Sequence, residues 1–375
     1  MRAGDTLPVE LPDAVREAVL APLVDHDFHP LRGDDLTRAR FETLITVADA
    51  PAPPGTTHFD TPAGLAVRRW CAPVLGLDPH VPPAVYLARR AELGAAEVNR
   101  LLLRAARITA LLVDTGQDGP ELLPAEEICR LGGAAAGEVA GIERAEQAVA
   151  ASAVSGVSYI SDLNHALATL VARAAALSGT LPVVFDAARP SRGAVIAAAN
   201  RRLAAPKEEL TDPVLLRHLL WAAFDAARER GLPVRFHLPR YGPHRAQAAP
   251  LAAFLRATQP FGVPVVLLGS LDGNALHLAA TFPHVYVDVG SVPAHAASGA
   301  AAVGRLLELV PFHKQLFGSG GRGVAESCHL GALHWRRGLA GALAVRLAAG
   351  EWSVPDAARV ALMIGSGNAR RVYRL

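Results

Sequence analysis

The sequence predicts an α/β protein of the TIM-like (β/α)₈ barrel class, with a helical insertion after the first strand. Three observations favour this class. Short, β-rich apolar runs alternate with longer helical patterns along the 375 residues. Runs such as Pro-Val-Val-Leu-Leu (264–268) are apolar throughout, which is typical of parallel strands buried on both faces. Eight such runs separated by helical segments match a closed barrel.

The predicted strands follow one another at intervals that leave room for helices. In chain order they are Pro22–Phe28, Ile108–Thr115, Gly137–Ile142, Leu181–Asp186, Leu232–His237, Pro264–Ser270, His284–Gly290 and Lys314–Ser319. Helical patterns between them include Pro213–Arg230, Ala248–Ala257 and Ala300–Leu309. The alternative is a doubly wound open sheet, but no GxGxxG motif follows any of these strands.

The stretch Asp49–Arg107 interrupts this alternation. A Pro-rich turn (50–55) is followed by two helical patterns, Pro62–Leu75 and Pro83–Ala106. We interpret the stretch, about residues 49–107, as an insertion over the C-terminal mouth of the barrel, where lids commonly lie. The predicted organisation is an N-terminal extension (1–20) and one barrel domain (21–375) that carries this insertion.

Composition narrows the function classes. The 37 basic and 35 acidic residues leave a net charge of +2, which gives no electrostatic reason to expect nucleic acid or a membrane surface as partner. Three cysteines without a CxxC motif are too few for a disulfide framework, and no signal peptide or membrane span is evident. We expect a cytoplasmic protein with a small-molecule substrate, and homo-oligomerisation is left open.

In a barrel the reacting groups should stand at the C-terminal ends of the strands. The first strand ends in Val-Asp-His-Asp-Phe-His-Pro (24–30), where the period of two places Asp25, Asp27 and His29 on one face. Such a row could bind a divalent metal or form an acid–base cluster.

Three later strands also end in an ionisable residue, namely Asp186, His237 and Asp288. An aspartate at such an end can simply cap the following helix, and for Asp288 this interpretation is as strong as a functional one. For His237 and His29 the functional interpretation is favoured.

Several of these segments resemble the amidohydrolase superfamily. They are Asp-His-Asp-Phe-His-Pro (25–30), Leu-Phe-Gly-Ser-Gly-Gly (316–321) and the closing Gly-Asn-Ala-Arg-Arg-Val-Tyr-Arg-Leu (367–375). The most similar branch is the amidohydrolase-related group that includes the front half of fluG-type, glutamine-synthetase-like proteins. Phe41-Glu42, His58-Phe59-Asp60 and Arg69-Trp70-Cys71-Ala72-Pro73 also resemble that branch's insertion. The resemblance covers about Leu23 to Leu375.

The metal ligands that the resemblance implies are only partly kept. The family's His-x-His motif falls on Asp27 and His29, and the fifth-strand histidine is kept as His237. The sixth-strand Leu-Leu-His is here Leu-Leu-Gly, ending at Gly269. The eighth-strand aspartate, which the family uses as metal ligand or base, is replaced by Gly320.

Other positions of the branch carry over as substrate contacts. The fourth-strand lysine position is occupied by Asp186, whereas the arginine of the same motif is kept as Arg192. The glutamate of the branch's Pro-Glu motif is kept as Glu326. We predict that Arg192 and Glu326 contact the substrate, together with His58 and Arg69 of the insertion.

A catalytic zinc site needs about three protein ligands plus water. Asp27, His29 and His237 could supply them, but the aspartate that would take the water's proton is missing at Gly320. We therefore predict that the ordinary metal site is lost and that no cofactor is bound. The alternative is one divalent ion, zinc or manganese, in a rearranged site.

Three functional hypotheses remain. The first is an enzyme that works without metal, with His237, Asp27, His29 and Asp186 as catalytic acid–base groups in one cavity. It would catalyse amide hydrolysis, elimination, decarboxylation or rearrangement of a small, specialised metabolite. The second is a metal-dependent hydrolase or lyase, and the third is a non-catalytic member that binds a small molecule or a protein.

Overall fold

The computed structural model describes residues 7–46, 48, 50–116, 119–181, 187–238, 248–269, 273–290 and 296–375. The strands are β1 (Leu23–Leu31), β2 (Ile108–Asp114), β3 (Ala135–Gly141), β4 (Ala176–Thr180), β5 (Val234–His237), β6 (Val265–Leu268), β7 (Val285–Asp288), β8 (Gln315–Leu316) and β9 (Gly321–Gly323).

Helices fill most of the chain between the strands. The α-helices are α1 (Asp13–Leu20), α2 (Arg38–Leu44), α3 (Pro62–Ala66), α4 (Pro83–Ala106), α5 (Ala125–Gly132), α6 (Ile142–Ser152), α7 (Gly156–Arg173), α8 (Arg192–Ala204), α9 (Pro213–Arg230), α10 (Ala248–Thr258), α11 (Gly273–Thr281), α12 (Ala296–Leu309), α13 (Ala325–Ala348), α14 (Val354–Leu362) and α15 (Asn368–Tyr373). Short 3₁₀ and π segments continue several of them, as at Val67–Cys71 and Met363–Gly367.

Parallel strands alternating with helices make this an α/β protein of the TIM-like barrel class, so the predicted fold class is confirmed. The chain divides into two compact units. Unit 1 comprises Met1–Val113, Gln117–Gly137 and Val289–Leu375, and unit 2 comprises Asp114–Gly116 and Glu138–Asp288. Among the described residues, no helix combines the length and the apolar character needed to cross a membrane.

In unit 1, β1 is the central strand, paired in parallel with β2 on one side and with β9 on the other. Phe28 is level with Val113 of β2 and with Gly321 of β9, and the β1–β2 register is irregular between Asp25 and Phe28. Helix α4 of the insertion packs against α13, and α1 packs against α14. The predicted domain boundary at residue 20 stays a prediction.

In unit 2, strands β3 to β7 are paired in parallel in chain order. The register places Thr180 of β4 level with His237 of β5, which is itself level with Leu268 of β6. His237 therefore stands at the C-terminal end of its strand, as the sequence predicts.

Two strands differ from the predictions. The structure has a strand at Ala176–Thr180, just before the predicted Leu181–Asp186. Of that predicted range only Leu181 is described, and residues 182–186 lie outside the described residues. The strand Ala176–Thr180 is rich in small residues because a larger side chain would not fit; a Cβ on Gly179 would lie 2.6 Å from Ile142. The apolar run that follows looked more strand-like but begins after the level of His237. The short β9 was not predicted, since its Gly-Arg-Gly sequence has no apolar signal.

Candidate functional site

The first strand carries a buried polar row in unit 1. Asp25, Asp27 and His29 are respectively 0%, 4% and 7% exposed, although all three are polar. Backbone contacts hold the row against the segment after β8. Oδ1 of Asp25 accepts the backbone N–H groups of Ser319 (2.9 Å) and Asp27 (3.1 Å), and the N–H of Gly320 donates to the carbonyl of Asp27 (3.0 Å).

The intervening histidine has a different environment. Nδ1 of His26 lies 3.1 Å from the hydroxyl of Tyr373, and the two rings stack at 5.9 Å. Its backbone N–H donates to the carbonyl of Phe317. His26 therefore ties β1 to the last helix, α15, and its contacts are structural.

The carboxyl of Asp25 has a strongly raised pKa. Its burial raises the pKa from 3.8 to about 7, against the opposing effect of its hydrogen bonds to Ser319, and the neighbouring Asp27 charge raises it further. Oδ2 of Asp25 is buried and has no hydrogen-bond partner among the described residues. A carboxyl with such a pKa can hold or release a proton near neutral pH.

The end of the row contacts an arginine. Nε2 of His29 lies 3.7 Å from Oδ1 of Asp27 and 3.3 Å from Nη2 of Arg322 in β9. A guanidinium has donors only, so in this contact Nε2 accepts the hydrogen bond. The hydroxyl of Ser327 accepts the backbone N–H of Arg322 and so holds this turn.

These residues do not fit a metal centre. Nε2 of His29 is in hydrogen-bond contact with Arg322, a permanent cation that would repel an ion bound at this nitrogen. At the position of the family's aspartate, Gly320 adopts a left-handed φ of +63° and contributes only its backbone N–H to the row. Across the described ranges, no three His, Cys, Asp or Glu side chains are arranged to hold an ion. That the protein contains no metal stays a prediction.

Glu326, predicted to bind substrate, lies in a buried network. Its Oε1 accepts hydrogen bonds from the Tyr86 hydroxyl (2.8 Å) and from Nε of Arg90 (2.6 Å), and Arg90 also reaches Oε2 at 3.4 Å. Burial raises the pKa of Tyr86 well above its usual value, and the Glu326 charge raises it further. This network joins the insertion helix α4 to the first turn of α13. The substrate contact of Glu326 stays a prediction.

The two insertion residues occupy different places. His58 donates its backbone N–H to Glu42, and its Nε2 lies 3.0 Å from the carbonyl of Ala50. The guanidinium of Arg69 stacks over Trp70 at 4.7 Å. Both side chains are partly exposed. Their predicted contact with the substrate stays a prediction.

Unit 2 contains a second polar cluster, centred on His237. Its Nε2 lies 3.2 Å from the hydroxyl of Ser178 and 3.6 Å from Oδ2 of Asp114. Asp114 is held by the N–H of Gly116 (2.9 Å), and its Oδ2 lies 3.7 Å from the fully buried Arg235. The His237 side chain is 33% exposed while that of Asp114 is 8% exposed, so the imidazole is the accessible member of the cluster.

Glu143 lies next to this cluster. Burial raises its pKa, as does the charge of Asp114, whereas a hydrogen bond from the N–H of Thr180 lowers it. Arg192, predicted to bind an anionic group, is exposed in the first turn of α8. Asp186 lies outside the described residues, so its catalytic role stays a prediction.

Sequence reasoning missed four residues of these clusters. Asp114 ends β2 and could have been found by the same strand-end rule that singled out His237. Ser178 lies in the strand Ala176–Thr180, which was not predicted. Arg235 points to Asp114 from within a strand, and Arg322 is one arginine in a glycine-rich loop; neither has a distinguishing local signal.

Comparison with known proteins places the chain in a family. The amidohydrolase family model matches residues 164–375, more than half of the sequence, and the chain belongs to this family. The match includes the segment with His237 and the closing motif but not β1. No curated protein sequence matches the chain significantly.

Solved structures support the fold over nearly the whole chain. A candidate metal-dependent hydrolase from Lactobacillus casei ATCC 334 has a TM-score of 0.78 at 17% identity, covering 97% of this chain and 98% of its own. Uronate isomerase from Thermotoga maritima has a TM-score of 0.69 at 12% identity, covering 100% and 99%. Glucuronate isomerase from Caulobacter crescentus has a TM-score of 0.66 at 14% identity, covering 100% and 97%. At these identities the likeness concerns the fold alone.

Proposed function

We propose that this chain is an amidohydrolase-family enzyme that acts on a small molecule by acid–base chemistry without a metal ion. The observation that carries the proposal is the contact between Arg322 and His29, 3.3 Å from Nη2 to Nε2. Where the family pattern would place a metal ligand, the imidazole instead accepts a hydrogen bond from a fixed cation. This contact is consistent with a member of the fluG-like branch that has lost its metal site.

The row on β1 would then divide the acid and base roles. Asp25, with a pKa of about 7, is the group that can donate or accept a proton near neutrality. Asp27 lies beside His29, and its carboxylate would balance the positive charge of the imidazole when His29 takes a proton from the substrate. Neighbouring titratable groups in different environments have different pKa values, so one site can supply both an acid and a base.

His237 is the second acid–base group of the proposal. Its contacts with Ser178 and Asp114 would orient the imidazole, and its partial exposure leaves it open to a substrate. A histidine imidazole can both accept and donate a proton, which suits general acid–base catalysis. The candidate reactions are amide hydrolysis, elimination, decarboxylation and rearrangement.

Elemental analysis tests the proposal directly. The protein is purified without chelator or added metal, and zinc, manganese, iron and nickel are quantified per chain. We expect far less than one equivalent of metal, and turnover, measured on a panel of small amides, lactones and hydroxy acids, that survives chelator treatment. About one zinc or manganese ion per chain, removed by chelator together with turnover, would establish the metal-dependent alternative instead.

A matched variant keeps the test informative when turnover is weak. His237→Ala should abolish any turnover found, whereas His165→Ala, which removes an exposed histidine from α7 of the same unit, should not. Turnover that both variants retain would reject the catalytic role of His237.

A further inference from the structure

Arg322 differs from several arginines of unit 1 that pair with carboxylates. Arg32 pairs with Asp34 and Glu121, Arg38 with Glu42, and Arg90 with Glu326. The Arg322 side chain has no carboxylate partner within the described part of the chain, and its polar contact there is His29. An imidazole is not an anionic counter-ion, so no anion among the described residues pairs with the Arg322 guanidinium.

The geometry also leaves hydrogen-bond donors available. A guanidinium has five N–H donors, and the contact with His29 uses one of them, on Nη2. The side chain is exposed although its two neighbours, Gly321 and Gly323, are buried. An exposed guanidinium is planar, and its remaining N–H groups can bind a carboxylate through two parallel hydrogen bonds while one N–H contacts the imidazole.

The surrounding charges favour a carboxylate over a phosphate. Asp27 lies next to His29, and the buried Asp25 lies two residues before it. A phosphate dianion would meet a single cation and these two acidic groups. A carboxylate carries one negative charge and matches one guanidinium in both charge and shape.

We propose that Arg322 binds the carboxylate of the substrate, so that the enzyme acts on a small carboxylic acid positioned next to the Asp25–Asp27–His29 row. The inference rests on the proposed function for the chemistry that follows binding. The binding step itself requires only the exposed guanidinium and its contact with His29.

Acetate is the probe for this site. The protein is treated with phenylglyoxal, which modifies guanidinium groups, and labelling of each arginine is followed by mass spectrometry. Saturating acetate should slow the labelling of Arg322 about tenfold. The labelling of Arg16, an exposed arginine on α1, should be unchanged in the same digest. Inorganic phosphate at equal ionic strength should protect Arg322 less than acetate does.

Variants link binding to the side chain. Saturation-transfer NMR should detect acetate bound to the wild type and to Arg16→Gln but not to Arg322→Gln, and Arg322→Lys should bind weakly because an ammonium lacks the planar fork. Equal acetate signals in Arg322→Gln and the wild type would overturn the inference, as would stronger protection by phosphate.

Failure of this inference can be told apart from failure of the proposed function. Acetate binding that disappears after chelator treatment would mean that a bound metal holds the probe, which contradicts metal independence and the role of Arg322 together. Acetate binding that survives chelator but does not depend on Arg322 overturns only the role of Arg322.

Discussion

Asp25 and Ser319 lie 294 positions apart in the chain, yet Oδ1 of Asp25 accepts the backbone N–H of Ser319 at 2.9 Å. The bond joins the first strand to the segment that follows β8, and it is formed by a carboxyl that is completely buried. Asp25 is therefore both a structural link and a titratable group in the candidate site.

The first prediction concerns pH and stability. The folded-state pKa of Asp25 is about 7, raised by burial above the 3.8 of an exposed carboxyl. The folded protein therefore holds this proton more tightly, and its stabilising contribution is complete below pH 3.8 and lost as the pH rises through about 7. The wild type loses this contribution by about pH 8, whereas Asp25→Asn has no carboxyl to ionise. The unfolding free energy of the wild type relative to that of Asp25→Asn should therefore fall by on the order of 3 kcal/mol between about pH 5 and about pH 8.

Chemical denaturation of both proteins at the two pH values measures this difference. Asp356→Asn is the control, because hydrogen bonds to Ser353 and Arg359 lower the pKa of that exposed carboxyl, which thus stays ionised throughout this range. A wild-type-to-variant difference that does not change with pH would show that Asp25 is not buried with a raised pKa.

The second prediction concerns the residues assigned to proton transfer. Asp27→Asn and His237→Ala should each lower kcat by roughly 10²- to 10⁴-fold, the usual contribution of a general acid or base. The KM of each variant should differ much less from that of the wild type. Folded variants that keep full turnover in a steady-state assay would refute these roles.

Ser178 provides the third prediction. Because its hydroxyl lies 3.2 Å from Nε2 of His237, Ser178→Ala should lower kcat by about tenfold through loss of orientation. In a chain that already carries His237→Ala, the same change should have no further effect, since the two residues act as a unit. Multiplicative losses in the double variant would show that Ser178 acts independently of His237.

The fourth prediction uses two similar buried networks. Glu326 with Arg90 and Tyr86 in unit 1 is matched in unit 2 by Glu146, whose Oε1 accepts hydrogen bonds from Arg202 and Tyr159. Removing one partner leaves an uncompensated buried charge, so Glu326→Ala and Glu146→Ala should each cost about 3–5 kcal/mol in the free energy of unfolding.

The same pair of variants tests the predicted substrate contact. If Glu326 contacts the substrate, Glu326→Ala should raise KM more than Glu146→Ala does at matched stability. Equal KM values for the two variants would leave Glu326 with a structural role only. Denaturant titration and steady-state kinetics on the two proteins supply both measurements.

The fifth prediction concerns a close backbone approach. A Cβ on Gly290 would overlap the backbone carbonyl oxygen of Gly318. Gly290→Ala should therefore lower the unfolding free energy by several kcal/mol, on the order of 3 or more, or prevent folding. Gly304→Ala on α12 is the control, since its nearest contact would be the end of a flexible arginine at 3.8 Å. Equal stability of the two variants would contradict the close approach.

The sequence by itself determined the fold class, because strand and helix periodicity are local properties of the chain. The helices Pro83–Ala106 and Pro213–Arg230 have the predicted bounds, marked by proline at their first position and a change of periodicity at their ends. The alternation on β1 likewise identified the buried row of Asp25, Asp27 and His29, since a strand repeats every two residues.

Only the tertiary structure decided the partners of those residues. The contact of Arg322 with His29 and that of Ser178 with His237 join positions 293 and 59 residues apart, and no local pattern encodes such distances. The strand at Ala176–Thr180 was not predicted, for a related reason. Barrel packing selects small residues in β4, whereas a local reading of hydrophobicity favours the larger apolar run that follows. Periodicity specifies which face a side chain occupies, but the close packing of distant strands specifies what it touches.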